Sequence, residues 1–194
     1  MDQIVKRSNE KFPIYANFQS VLMEDETLES YVVACVSGAD GSNTKSTIVD
    51  SDEIDEPRIK IVIKSGTDGE THKISVQATT SLSNVYEKDV LLIINDDPDY
   101  EFIKQPSEIT PFSIDFEKDL ESGDYIDTEE VTLCDIDGVD LATEMVLDAE
   151  SDETETIVTV GGGENGQLYI SGIAVTTHDG YVYSKSVLIR VEEM

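Results

Sequence analysis

Apolar and polar residues alternate along most of this chain. The segments RIKIVIK (58–64), HKISVQATT (72–80), ETIVTV (155–160), YISGIAVTT (169–177) and KSVLIRV (185–191) place apolar side chains at about every second position, and DVLLIIN (89–95) is almost continuously apolar. A period of two puts alternate side chains on one face of a sheet, so these segments are predicted strands. No run of ten or more residues carries an apolar period of 3.6, and no substantial helix is expected. Asp40-Gly41, Asp68-Gly69, Asp137-Gly138, Asn165-Gly166 and Asp179-Gly180 separate the segments, and such dipeptides favour the positive-φ turns of hairpins.

The pattern occurs twice. Pairing residues 61–94 with those 97 positions later brings Gly66, Gly69, Thr79, Thr80, Val85, Tyr86, Lys88, Val90 and Leu91 onto identical residues. Similar apolar pairs keep the same phase: Val76 with Ile173, Ala78 with Val175, Leu92 with Ile189, Ile94 with Val191. Upstream, FQSVL (18–22) aligns with FEKDL (116–120). A tandem duplication of a unit of about 85 residues explains a constant offset and a preserved phase. Between the copies, NDDPDYEFIKQPSEITP (95–111) holds Pro98, Pro106 and Pro111 among many acids, which reads as a semi-extended linker. The expected layout is an all-β chain of two antiparallel β-sandwiches: residues 1–97 with an N-terminal arm, a linker over 98–110, and residues 111–194.

Charge narrows the partners. The chain carries 13 Lys and Arg against 42 Asp and Glu, a net charge of −29. Binding nucleic acid requires cations to displace counterions, and anionic membranes repel acid, so neither is an expected partner. The acid is uneven: residues 1–97 hold 9 basic and 18 acidic side chains, net −9, and residues 98–194 hold 4 and 24, net −20. No segment reaches the ~20 apolar residues of a membrane span. The start, MDQIVKRSNEKFPIY, lacks the apolar core of a signal peptide, so the protein is expected to be made and kept in a cytoplasm, or released from it by lysis.

Candidate chemistry is sparse. His72 and His178 have no zinc-type Cys/His spacing and read as exposed strand or turn residues. Without an activated nucleophile beside a histidine, no catalytic residues can be named. VGGGENGQ (160–167) lacks the Lys-Ser/Thr ending and following helix of a phosphate loop and reads as a sandwich corner. Cys35 and Cys134 lie in apolar runs near the repeat offset and are expected to be buried free thiols in separate units. MEDETLE (23–29), DSDEIDE (50–56) and DAESDETE (148–155) are acidic and read as solvated loops. Asp96, Asp97 and Asp99 are the best-placed calcium ligands, at the junction of the two copies, although no EF-hand spacing is present. No other cofactor is implied.

Two resemblances add to this reading. Gly166-Gln-Leu-Tyr169, followed by alternating apolar residues, resembles the E–F corner and F strand of immunoglobulin-like and fibronectin type III domains. The resemblance makes Tyr169 a tyrosine-corner residue whose hydroxyl bonds backbone upstream, with Gly166 and its counterpart Gly69 in the turns. His72 stands at the corner position of the first copy, so the corner is weakened or lost there. More of the second half, PFSIDFEKDLESGDYIDTEEVTL and then SDETETIVTVGGGENGQLYISGIAVTTHDGYVYSKSVLIRV, between Pro111 and Val191, is similar to small Ig-like proteins encoded among the head and neck genes of tailed bacteriophages. Phe112 and Phe116 occupy the aromatic positions of that pattern, although its tryptophan is missing. That resemblance implies a non-enzymatic virion structural protein, a head decoration or a neck and head–tail component. Such a protein would be present in multiple copies and dock on the capsid shell, portal or connector. The alternative is an Ig-like adhesin or a carbohydrate- or protein-binding module of a bacterial surface protein. By charge, the less acidic first copy is the expected docking end.

Overall fold

The alternating segments pair as strands because each has one apolar face to bury and turn residues at its ends. The computed structural model describes residues 1–193, and the chain divides into two compact units, Met1–Asp96 and Asp97–Met194. Unit 1 contains β1 (Asp2–Lys6), β2 (Phe12–Asn17), β3 (Leu28–Ser37), a single helical turn α1 (Lys45–Ile48), β4 (Val49–Asp55), β5 (Arg58–Ile63), β6 (Thr71–Thr80) and β7 (Val85–Ile94). One sheet runs β1-β7-β6-β3 and the other β2-β5-β4; β1 lies parallel to β7, and the remaining pairs are antiparallel. Unit 2 repeats this with β8 (Tyr100–Lys104), β9 (Thr110–Asp115), β10 (Ile126–Asp135), α2 (Ala142–Met145), β11 (Val146–Ser151), β12 (Glu155–Val160), β13 (Leu168–Thr177) and β14 (Val182–Val191). Its sheets are β8-β14-β13-β10 and β9-β12-β11. Each unit is therefore an Ig-like sandwich: strands C, F and G plus a parallel first strand face strands B, E and D.

Two offsets describe the duplication. Strands β1–β3 and β8–β10 differ by 98 positions, as from Asp2 to Tyr100, and everything from α1 and α2 onward differs by 97, as from Lys45 to Ala142. The turn between β3 and α1 is one residue longer than its counterpart, which accounts for the change.

The core of unit 1 centres on Phe18, Ile59, Ile61, Ile63, Ile74, Leu92 and Ile94; that of unit 2 includes Phe116, Leu133, Val158, Ile173, Val175, Ile189 and Val191. Strand β13 alternates without exception, burying Tyr169, Ser171, Ile173, Val175 and Thr177. Lys88 lies over the Phe18 ring at 5.8 Å, and Lys185 lies over Phe116 at 5.0 Å, so the duplication extends to cation–π contacts.

Four expectations need correction. The stretch 98–110 is not a linker throughout: it contains β8, which pairs in parallel with β14 from Tyr100 opposite Val187 to Lys104 opposite Val191. Pro98 and Pro106 flank this strand rather than interrupt it, so no ladder hydrogen bond is lost. The acidic stretches 50–56 and 148–155 are not loops but edge strand β4 and the β11–β12 hairpin, where outward carboxylates remain in water. Cys35 and Cys134 are not equivalent: with the offset of 98, Cys35 matches Leu133, so the two thiols point to opposite faces of their strands. Cys35 is 1% exposed, whereas Cys134 is only partly buried; both are free. His72, finally, is buried rather than exposed.

Candidate functional site

The first strand of each unit ends on a buried lysine. Lys6 Nζ donates to the carbonyls of Arg7 and Ser65, the latter at 2.7 Å; Lys104 Nζ donates to those of Gln105 (2.8 Å) and Gly162 (2.6 Å). Ser65 and Gly162 are equivalent, so each lysine ties the first strand to the E–F corner of its own unit. Glu10 Oε2 accepts from the Arg7 N–H and Glu108 Oε2 from the Gln105 N–H, closing the same turn twice. Burial pulls the Lys6 pKa down to about 8, opposed by Glu10 and Asp96, and burial also lowers that of Lys104, opposed by Glu108. Sequence reading missed this pair. The signal was present as Lys-x-x-x-Glu at residues 6–10 and 104–108, an offset of 98 instead of 97.

The E–F corner itself is built differently in the two units. Tyr169 is buried, and its hydroxyl accepts the Glu164 N–H at 3.0 Å. In unit 1 the equivalent N–H, on Thr67, is accepted by the Glu70 carboxylate at 3.0 Å. That frees the position of His72 for another contact: its Nδ1 lies 3.1 Å from Thr44 Oγ1, which in turn lies 3.3 Å from Cys35 Sγ. His72 Nε2 lies 3.4 Å from Glu70 Oε2 without hydrogen-bond geometry. Gly69 and Gly166 have φ of 80° and 83°. At Gly66 and Gly163 a Cβ would lie 2.8 Å from Ile94 and Val191, so glycine is required at both. His178 is exposed on the β13–β14 turn, stacked on Tyr125 at 4.8 Å and within 3.0 Å of its hydroxyl.

Two of the three candidate calcium ligands each accept a backbone N–H through one carboxylate oxygen. Asp96 Oδ1 accepts the Ser8 N–H at 2.8 Å, and Asp99 Oδ2 accepts the Ser186 N–H at 2.8 Å. Among the described residues, no group of three or more His, Cys, Asp or Glu side chains is arranged to hold a metal ion. A hollow of about 580 Å³ beside the unit 2 corner is rimmed by Asp135, Asp137, Glu144 and Glu164 over Met145 and Tyr169. No helix among the described residues is long and apolar enough to cross a membrane.

What the units offer is surface. The outermost strands are β1 and β3, β2 and β4 in unit 1, and β8 and β10, β9 and β11 in unit 2. An outermost strand leaves a row of backbone N–H and C=O groups without a strand partner, ready for another chain.

Two Ig-like sandwiches with open edges define the class, a tandem Ig-like protein. The family follows from a model described as "Podophage GP4 fiber-tail adaptor protein gp77", which matches residues 6–93 and 104–190, and the chain belongs to this Gp77 family of phage virion proteins. Similar solved structures include tandem Ig modules. A chimeric titin Z1Z2 is 11% identical, with 99% of this chain and 94% of that one covered and a TM-score of 0.35. The N-terminal Ig1-2 module of the Drosophila receptor protein tyrosine phosphatase DLAR is 9% identical, with coverages of 99% and 95% and a TM-score of 0.33. SporoSAG from Toxoplasma gondii is 11% identical, with coverages of 98% and 97% and a TM-score of 0.31. A search of curated proteins finds no match.

Proposed function

We propose that this chain is a non-enzymatic adaptor of the phage virion, placed where fibres join the tail, which docks on neighbouring virion proteins in several copies. The family match over both units carries this reading. The fibre–tail placement is the finer part of this proposal, beside the head-decoration or neck and head–tail placement that the resemblance implied. The geometry supports it: each sandwich presents two sheets with outermost strands, and the two units give one chain two separate sets of docking surfaces. Sandwich edges bind by strand addition, with backbone hydrogen bonds supplying affinity and alternate side chains supplying specificity.

Particles assembled without this chain test the proposal. They are expected to package DNA and lack fibres, and purified chain added with fibres should restore them. Particles with a full fibre complement in its absence would contradict the role.

A further inference from the structure

The two units share a backbone, yet the outer faces of their three-stranded sheets carry opposite chemistry. In unit 1 the first row across β4, β5 and β2 is Asp50, Lys64 and Lys11, with Asp50 paired to Lys64 at 2.9 Å and to Lys11 at 2.8 Å. A later row is Glu53, Lys60 and Tyr15, and the last holds Asp55 paired with Arg58, whose guanidinium lies 4.2 Å over the Tyr15 ring. Ser51, Val62 and Pro13 lie between these rows, and ion pairs close the face on either side of them.

At the equivalent positions unit 2 has Leu147, Gly161 and Ile109 in the first row and Glu150, Ile157 and Ser113 in the later one. Ile109, Leu147 and Ile157 are 65%, 53% and 37% exposed. A Cβ on Gly161 would lie 2.9 Å from Leu147 Cδ1 and 3.4 Å from Ile109 Cγ1, so these two side chains meet over the glycine. Ile157 joins Glu150, Asp152 and Glu155 around a hollow of about 310 Å³. Strands β9, β11 and β12 contain Asp115, Asp148, Glu150 and Glu155 and no Lys or Arg.

A face left to water gains nothing from exchanging ion pairs for exposed Ile and Leu while keeping its carboxylates. A face that meets a partner gains an apolar centre and a charged rim that selects the partner's sign. We propose that the outer face of β9-β12-β11 is a docking face for another virion protein, one presenting an apolar strip bordered by Lys and Arg. The same face of a second copy is the wrong occupant, since it would set four carboxylates against four. The unit 1 sheet is also wrong, because its cations are already paired to its own acids. This assigns a docking face to unit 2, against the expectation from net charge that unit 1 is the docking end. This inference rests on the adaptor reading and deepens it by naming the face and the chemistry of its partner.

The test uses full-length chain added to particles assembled without it. The variant Ile109→Lys/Leu147→Asp/Gly161→Lys copies the unit 1 row, which this fold already accommodates, and Ile157→Lys copies Lys60. Each is expected to melt close to wild type and to bind at least tenfold more weakly, whereas Lys60→Ile on unit 1 should bind within twofold of wild type. Folded variants of unit 2 that bind like wild type would overturn the assignment of this face and leave the adaptor reading standing. Wild-type chain that fails to bind such particles would overturn the adaptor reading, and this inference with it. Wild-type self-association that the triple variant abolishes would make a second copy the occupant and also overturn the proposal.

Discussion

At the scale of single residues, the duplicated lysines carry the most specific expectation. The Lys6 pKa is about 8 in the folded unit, below its ordinary value in an unfolded chain. Below about pH 8 the side chain is protonated in both states, and the cost of burying the charge is present in full. Between about pH 8 and 10.5 the unfolded chain holds more protons, so stability rises with pH across that window. Urea melts should show wild type gaining on Lys6→Met by on the order of 2 kcal/mol over this range; a difference that stays flat would contradict the buried, depressed lysine. Tyr169→Phe removes the acceptor of the Glu164 N–H and should cost unit 2 about 1–2 kcal/mol while leaving the unit 1 transition in place. Thiol reagents should find two free cysteines in denatured, unreduced protein. In the native state Cys134 should react before Cys35, whose thiol is pushed up chiefly by burial and is hardly exposed. Faster labelling of Cys35 would contradict the structure.

At the scale of elements, the strands in apolar alternation were legible and those hidden by charge were not. Strands β5, β6, β7, β12, β13 and β14 lie where the period of two puts them, since each has one buried face. Strand β8 was read as linker because its inward residues are Phe102 and Lys104, with prolines and acids on either side. A lysine is inward there only because two backbone carbonyls await it, a tertiary fact that no local pattern shows. Strand β4 was obscured in the same way by the low strand propensity of Asp and Glu, which an edge strand with outward carboxylates tolerates. The difference has a consequence for truncation. A fragment of residues 97–194 should melt higher than one of residues 106–194 by roughly 10 °C, the shift about 2 kcal/mol produces in a domain of this size. Equal melting temperatures would return residues 98–104 to the status of a linker.

At the scale of the whole molecule, the duplication and the fold class follow from repeat and period, but the docking face does not. Ile109, Leu147 and Ile157 are spread over 49 positions of sequence and become one surface only through the registers of β9, β11 and β12. What could have been read is the contrast at matched positions, Lys11 against Ile109 and Lys60 against Ile157, once the two offsets were known. The −29 net charge fits a component whose partners are proteins with basic surfaces. The central claim is that this chain is a built-in part of a phage particle. Quantitative mass spectrometry of purified virions tests it most directly, with the chain's copy number referred to that of the portal subunit. The same fixed ratio in independent preparations, retained in the tail fraction after heads are removed, is the expected result. A chain absent from purified virions, or present at a ratio that varies and falls away on washing, would contradict it.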